Sequence, residues 1–210
     1  GSLMMESKQF LGGDLKYESD TPLDESSFPV GAYSYASIYE FGSVLGSSKN
    51  FQLASVKSVS PTYPLIGEFE IQKEYDERVL ETNPPQPGKV WLDTRLANLL
   101  EVTINDTINI GEKDFSISGI ILAESDRGAG SFAFAPKAIM NSSDLEEANV
   151  IQPGSRVRYS YVFVGSQEDI KLLENFFQSK KKPGDEITTP GNETSPLGRA
   201  IKRASNFFLL

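Results

Sequence analysis

Alternation of apolar and polar residues over 156–164 is the feature that most constrains the fold of this chain. Its apolar positions are Val157, Tyr159, Tyr161 and Phe163. A period of two residues is the period of a β-strand, so the spacing predicts a long strand with one apolar face. A single strand is not stable alone, and the fold must therefore contain a sheet with an apolar layer against it.

Further runs of strand character occur along the chain. The predicted strands are 15–18, 37–45, 51–59, 89–93, 102–110 and 115–122. Runs 37–45 and 51–59 are joined by a five-residue polar link that begins with Gly46, which predicts a hairpin. A second hairpin is predicted across residues 111–114, where another polar link contains glycine.

One helix follows the alternating strand. Ser166 is placed to cap it, and Ile170, Leu173 and Phe177 fall on one face at helical spacing. Shorter helical turns are predicted after Asp93 or Thr94 through Leu100, after Pro136, after Ser142 or Ser143, and from about Ser195. The sum of strands and helices predicts an α+β fold.

Two changes of character divide the chain. Prolines and glycines become frequent after residue 60, culminating in a proline-rich segment at 83–88, and a Gln-Pro-Gly turn stands at 152–154. Between these limits most of the predicted elements are strands. The sequence thus predicts a mainly β lobe over 61–155.

Cysteine and histidine are both absent from the 210 residues. Their absence removes disulfides, thiolate nucleophiles, the commonest zinc ligands and the usual general base at neutral pH. The net charge is −9, from 29 acidic and 20 basic residues, whereas a surface for nucleic acid needs clustered Lys and Arg. We therefore expect neither a familiar hydrolase or metalloenzyme nor a nucleic-acid-binding protein.

The two ends of the sequence carry their own signals. Gly1 and Ser2 are interpreted as the remnant of a cleaved expression tag. No run reaches the roughly 20 apolar residues that cross a bilayer. The last residues, 207–210, are apolar and follow basic Arg199, Lys202 and Arg203. This pattern indicates either the approach to a membrane span or the end of an ordinary helix.

Three groups of residues are candidates for binding. Asp126 and Arg127 precede a glycine-rich loop, which suits an anion or a tight structural connection. The acidic stretch over 68–81 suits a hard cation or a solvated acidic face. The aromatic residues of the alternating strand suit the wall of a groove for an apolar ligand, or strand packing in a core.

Five segments in fixed order carry a resemblance to a known family. They are 11–15 (LGGDL), 56–67 (VKSVSPTYPLIG), 88–92 (GKVWL), 126–128 (DRG) and 151–157 (IQPGSRV). They resemble the MacB-like periplasmic domain in the first large extracytoplasmic loop of YbbP-type, FtsX-like ABC transporter permeases. The resemblance runs from about Leu11 to the end and is weakest over 21–45 and 180–194.

The resemblance implies a specific architecture and location. Residues 11–60 and 156–210 would form a mixed α/β membrane-proximal lobe, with 61–155 as the inserted mainly β lobe. Residues 1–10 would be the tag remnant and a membrane-proximal segment. The domain would be a periplasmic loop of a bacterial inner-membrane protein, between its first two transmembrane helices.

The resemblance also implies a function in transport. Such domains are associated with transmitting ATP-driven motion to the periplasm and with extruding or extracting hydrophobic compounds. ATP would bind a separate cytoplasmic ATPase subunit, so no cofactor is expected in this domain. The expected partners are its own transmembrane helices, that ATPase, a second permease copy, and a periplasmic partner or lipid. No catalytic residues carry over.

Two other functions stay open at this point. A soluble periplasmic binding module for a lipid or hydrophobic ligand would show an open groove lined by Tyr159, Tyr161 or Phe163, whereas a closed core would argue against it. An enzyme would show buried carboxylates converging in a cleft. The predicted partner or ligand contacts are Asp126, Arg127 and the three aromatic residues.

Overall fold

The structure is a computed structural model that describes residues 2–124 and 134–192. Its strands are β1 (Leu15–Ser19), β2 (Ser34–Gly46), β3 (Phe51–Val59), β4 (Phe69–Gln72), β5 (Arg78–Glu81), β6 (Lys89–Asp93), β7 (Thr107–Ile110), β8 (Lys113–Glu124), β9 (Lys137–Asn141), β10 (Val157–Val164) and β11 (Glu186–Thr188). Its α-helices are α1 (Ser2–Leu11), α2 (Thr94–Leu100), α3 (Leu145–Ala148) and α4 (Gln167–Lys180). The predicted α+β class is confirmed.

All of these strands belong to one mixed sheet. Ten follow the order β11-β1-β10-β2-β3-β9-β6-β8-β4-β5, and β7 pairs with β2 and β8. Strands from the two chain ends occupy one half, and strands from the middle of the chain occupy the other. The halves are continuous because β3 pairs in parallel with β9. The lobe boundaries near 60 and 155 stay a prediction.

The first predicted hairpin is confirmed in detail. β2 and β3 pair antiparallel from Ile38 opposite Val59 to Gly46 opposite Phe51. The polar link closes the turn, because the Ser47 amide donates to the Asn50 carbonyl at 2.8 Å. The resulting two-stranded ribbon is the longest in the sheet.

The helix predicted after the alternating strand is α4. The Ser166 hydroxyl accepts a hydrogen bond from the Asp169 amide at 3.1 Å, which caps the first turn. Leu173 and Phe177 are buried on the face that meets the sheet. Asp93 caps α2 in the same manner, accepting from the Leu96 amide at 2.7 Å.

Strand β10 differs from its prediction, because both of its faces are buried. Tyr161 and Phe163 lie in the larger apolar cluster, under α2 and α4. Val162, on the opposite face, lies in a second cluster with Ile38 and Trp91. The prediction of one apolar face is wrong because β10 is a central strand, paired with β1 and β2, in a sheet with apolar clusters on both faces.

Two local predictions are also wrong. The turn of helix expected after Pro136 is strand β9, whose residues from Ala138 to Met140 are buried between β3 and β6. Pairing on both sides outweighs any local helical preference. The second hairpin begins at Thr107 instead of 102, because Asp106 accepts from the Thr103 amide at 2.8 Å and forms a turn there.

Three further strands occur where no strand is predicted, and one helical turn has a different cap from the predicted one. Strands β4 and β5 occupy the acidic stretch, and β11 lies in the loop after α4. The turn over 142–144 is capped by Asn141, whose side-chain oxygen accepts from the Ser143 amide at 2.9 Å. In the two described ranges, none of the helices has the length and apolar character needed to cross a membrane.

Candidate functional site

The first helix and the last described residues of the chain are in contact. The Gly191 amide donates to the Ser7 hydroxyl of α1 at 2.8 Å, and Ser7 is fully buried. Gly191 has a φ of +87°, and a Cβ at this position would lie 3.4 Å from the Met4 side chain. We define the junction as α1, β1 and β11, together with residues 12–14, which connect α1 to β1, and residues 189–192, which follow β11.

Helix α1 is attached to the sheet through its C-terminal turn. The Lys8 ammonium pairs with the Asp14 carboxylate at 2.8 Å. The Asp14 amide donates to the Phe163 carbonyl at 2.7 Å, and the Gly165 amide donates to the Asp14 side chain at 3.1 Å. Gly13 allows this approach, because a Cβ there would lie 2.7 Å from the Phe163 carbonyl oxygen. The helix end is therefore held against β10.

The returning chain is held by a buried carboxylate. Asp185 is 6% exposed and accepts hydrogen bonds from the Tyr17 hydroxyl of β1 and, at 3.0 Å, from the Lys182 amide. Burial opposes its charge, but hydrogen bonds from Tyr17, Ser19 and the Lys182 backbone lower the pKa of Asp185 below its usual value. Burial and the bond to Asp185 raise the pKa of Tyr17.

Arg158 adds ionic contacts at the same place. Its guanidinium lies 3.0 Å from the Asp20 carboxylate and 3.6 Å from that of Glu18, and it donates to the Gly184 carbonyl at 3.3 Å. It thus connects β10, the end of β1 and the loop before β11. Partly exposed ion pairs contribute at most about 1 kcal/mol each, so their main effect is to orient the loop.

An aromatic cluster fills the space between α4 and the sheet. Tyr17 stacks on Phe177 with ring centres 4.4 Å apart, and Phe177 lies 5.3 Å from Phe163. Phe28 meets Phe163 edge-on at 5.5 Å and Tyr161 at 5.6 Å. Such pairs add stability beyond burial of area, so α4 and the first strands pack as one unit.

The aromatic residues predicted to contact a ligand belong to this packed region. Tyr161 and Phe163 are fully buried, and Tyr159 is 9% exposed and packs on Tyr39 at 4.6 Å. The Leu23 amide donates to the Tyr161 hydroxyl at 2.9 Å. A closed core replaces the open groove that the binding-module alternative requires, because α4 and the 23–28 segment cover this face.

The other predicted contacts, Asp126 and Arg127, lie outside the described residues. Their assignment as partner or ligand contacts stays a prediction. The predicted acidic face over 68–81 is the β4–β5 hairpin. In the described ranges, no group of carboxylates is arranged to hold a metal ion.

Two buried carboxylates bear on the enzyme alternative. Asp144 follows β9 and accepts from the Gly88 amide at 2.7 Å. Asp185 precedes β11, in the other half of the sheet. Each fixes a backbone turn, and so these two do not form the convergent pair that the enzyme alternative requires.

Two surface features were not predicted from the sequence. Val44, Phe51 and Leu53 are 54–77% exposed and lie on one face of the β2–β3 hairpin. A cavity of about 500 Å³ adjoins the β4–β5 hairpin and is lined by Lys73, Glu74, Tyr75, Glu77, Val79, Glu81, Ile104, Asn105 and Ser118. Both features depend on which strands and loops become neighbours in the fold. Strand periodicity alone therefore did not predict them.

Comparison with known proteins supplies the family context. No family model matches the sequence. The chain is 29% identical over 215 aligned positions to the uncharacterized ABC transporter permease YbbP of Escherichia coli (strain K12). The match covers 99% of this chain and 25% of the relative, so the chain spans about a quarter of that permease.

Solved structures share the fold. The periplasmic region of MacB from Actinobacillus actinomycetemcomitans superposes with a TM-score of 0.55, at 12% identity over 97% of each chain. The extracellular domain of the noncanonic ABC-type transporter YknZ from Gram-positive bacteria gives a TM-score of 0.50 at 8% identity, over 84% of this chain and 100% of that one. The chain is thus similar in sequence to part of an ABC transporter permease, and it shares the fold of the periplasmic region of MacB and of the extracellular domain of YknZ.

Proposed function

We propose that this domain is a non-catalytic lever that transmits ATP-driven movement of transmembrane helices to the periplasm. The observation that carries the proposal is the contact between α1 and the returning chain, through Ser7 and Gly191. Helix α1 and residue 191 lie side by side, and this arrangement suits attachment of the two segments to neighbouring membrane helices. A displacement of either helix would then act on one joint.

The path from the junction into the sheet is short and direct. Asp14 bonds to β10 at Phe163, and Phe163 lies opposite Tyr35 at the start of β2. From Tyr35, strand β2 continues for eleven residues to Gly46 at the hairpin tip. At a rise of about 3.3 Å per residue this strand spans about 36 Å. A rigid sheet of this length converts a small movement at the junction into a larger one at the tip.

The proposal includes the rest of the transporter. ATP would bind a separate cytoplasmic ATPase subunit and not this domain. The domain would be a periplasmic loop between two transmembrane helices of an inner-membrane protein, working beside a second permease copy. The permease YbbP, which is similar in sequence, and the ABC-type transporter YknZ, which is similar in fold, belong to the setting that this arrangement requires.

Movement of the tip would act on a hydrophobic, lipid-like compound. Support comes from Val44, Phe51 and Leu53, which form an exposed apolar surface on the hairpin. In the isolated domain, Phe51→Ser should weaken binding of the apolar dye N-phenyl-naphthylamine about tenfold, because one large apolar contact is lost. The matched control, Lys49→Ser, changes the adjacent turn and should leave binding unchanged. Equal binding by both variants would remove this part of the proposal.

The lever itself is tested in the intact transporter by distance measurements between spin labels. The 210 residues contain no cysteine, so within this domain labels attach only at introduced sites. Lys49→Cys, at the β2–β3 tip, reports the distance between the tips of two permease copies. The proposal predicts that this distance changes on addition of ATP and vanadate.

The control pair lies within one chain. Glu6→Cys on α1 and Lys49→Cys should keep a constant separation, because a lever turns as a rigid body. The proposal would be overturned if the distance between copies were the same with and without ATP and vanadate. If the distance between positions 6 and 49 within one chain changed enough to explain the whole movement of the tip, the domain would bend and would not act as a rigid lever.

A further inference from the structure

Strand β5 forms the open edge of the sheet opposite the junction. It stands last in the strand order and pairs only with β4 among the described strands. The other edge strand, β11, packs against α4. Leu80 of β5 is 63% exposed, and the Arg78 side chain is 69% exposed. The edge is therefore accessible from solvent.

The hydrogen-bond pattern shows which backbone groups of β5 are free. The Lys73 amide donates to the Glu77 carbonyl at 2.7 Å, which closes the β4–β5 turn. Bonded pairs in an antiparallel ladder recur at every second residue, so Val79 and Glu81 also bond to β4. The amides and carbonyls of Arg78 and Leu80 consequently point away from the sheet. They present donors and acceptors to an added strand.

The side chains beside this edge are acidic on one face. Glu77, Val79 and Glu81 alternate along the strand and border the cavity of about 500 Å³. Glu81 is paired with Lys73 at 3.5 Å. Glu77 is exposed, and among the described residues no ion pair includes it. An extended segment added here would place every second side chain next to these carboxylates.

We propose that the β5 edge binds an extended basic segment of a partner protein as an additional strand. The backbone of Arg78 and Leu80 would hold the segment, and its alternate Lys or Arg side chains would lie beside Glu77 and Glu81. Strand addition at a sheet edge draws affinity from main-chain bonds and specificity from alternate side chains. This inference goes beyond the lever function, because it concerns the far edge of the sheet.

Charge disfavours a second copy of this chain as the occupant. Twofold pairing of two β5 strands about Val79 would place Glu77 opposite Glu81 of the second copy, in both halves of the pair. Pairing about Leu80 would place Val79 opposite Glu81 and bring the same acidic faces together. Like charges on opposed strand positions are destabilising. A basic segment meets the same edge with opposite charge.

The test uses the 210-residue chain and short synthetic peptides, without ATP or membranes. A peptide of alternating lysine and valine should bind and slow the hydrogen exchange of the Arg78 and Leu80 amides, followed by NMR. A matched peptide of alternating glutamate and valine should not. Since no motion of a transporter is involved, failure here leaves the lever proposal standing, and failure of the lever leaves this result standing.

Three variants locate the effect. Leu80→Pro removes one outward amide, which an edge strand tolerates, and should abolish the slowed exchange at this edge. Glu77→Lys should weaken binding of the lysine peptide about tenfold. Glu186→Lys on β11 is the matched control and should bind as wild type does. Three results would each overturn the proposal. They are equal binding of both peptides, unchanged binding by Leu80→Pro, and self-association that protects the Arg78 amide without peptide.

Discussion

The two edges of the sheet are built in different ways. At the junction edge, β11 and β1 lie under α4, and Asp185 is buried among hydrogen bonds from Tyr17 and Lys182. At the other edge, β5 alternates between exposed and half-buried residues, and its main described contact is the pairing with β4. The junction edge is held by burial and many specific bonds, whereas the β5 edge is held by one ladder. The comparison indicates an anchored end and a free end.

Burial explains why the difference matters for movement. The aromatic cluster around Phe177 resists deformation because closely packed side chains have few alternative arrangements. The β4 strand is also anchored, since Phe69 and Ile71 are fully buried against Trp91 and Tyr63. Strand β5 meets this cluster only through the half-buried Val79, and its Leu80 is 63% exposed. Force applied at the junction would therefore be carried through most of the sheet before it reached a compliant element.

The largest effect is expected from Phe177→Ala at the anchored end. The substitution removes a fully buried ring that stacks on Tyr17 and should lower the free energy of unfolding by about 3–5 kcal/mol. Urea denaturation followed by circular dichroism measures it. Leu172→Ala on the same helix, where the side chain is 45% exposed, is the control and should change stability by less than about 1 kcal/mol. Similar losses for both variants would contradict an anchored edge.

A smaller effect is expected from titration of Tyr17. Its pKa is raised above the usual value of 10.0, so the unfolded chain loses this proton first as the pH rises. Stability contributed by the neutral hydroxyl is complete below pH 10 and should then fall by up to about 1.4 kcal/mol per pH unit. In Tyr17→Phe the fall should be less steep, measured by urea denaturation between pH 9 and 11.

The control for that titration lies at the free end. Tyr75 is 98% exposed in the β4–β5 turn, and Tyr75→Phe should keep the wild-type slope of stability against pH. Parallel curves for wild type and Tyr17→Phe would mean that the bond to Asp185 does not distinguish the folded from the unfolded state. The bond between Tyr17 and Asp185 would then no longer count as a difference between the junction edge and the β5 edge.

The smallest effect is expected from Leu80→Ser at the free edge. Leu80 is 63% exposed, so the change should alter the free energy of unfolding by no more than about 0.5 kcal/mol. Thermal unfolding provides the measurement, and Ile71→Ser on the adjacent strand, where the side chain is fully buried, is the contrasting variant. A large loss for Leu80→Ser would show that β5 is anchored as firmly as β11.

Sequence analysis succeeded where local signals agree with the tertiary environment. The β2–β3 hairpin has a polar link between two apolar runs, and α4 has a capping serine followed by an apolar stripe. The candidate site was less accessible to this reasoning. Asp126 and Arg127 lie outside the described residues, and the aromatic residues of β10 are core side chains. Alternation identifies a strand but does not show what covers it.

By itself, the sequence determined the α+β class, the strands with clear period-two alternation, the main helix and the absence of cysteine and histidine chemistry. These follow from residue type and spacing, which act locally. The tertiary structure decided that β10 is buried on both faces, that the acidic stretch forms an edge hairpin, and that Asp185 lies under Tyr17, 168 residues away in sequence. Each depends on which distant strands become neighbours, and that choice is made by packing across the whole sheet.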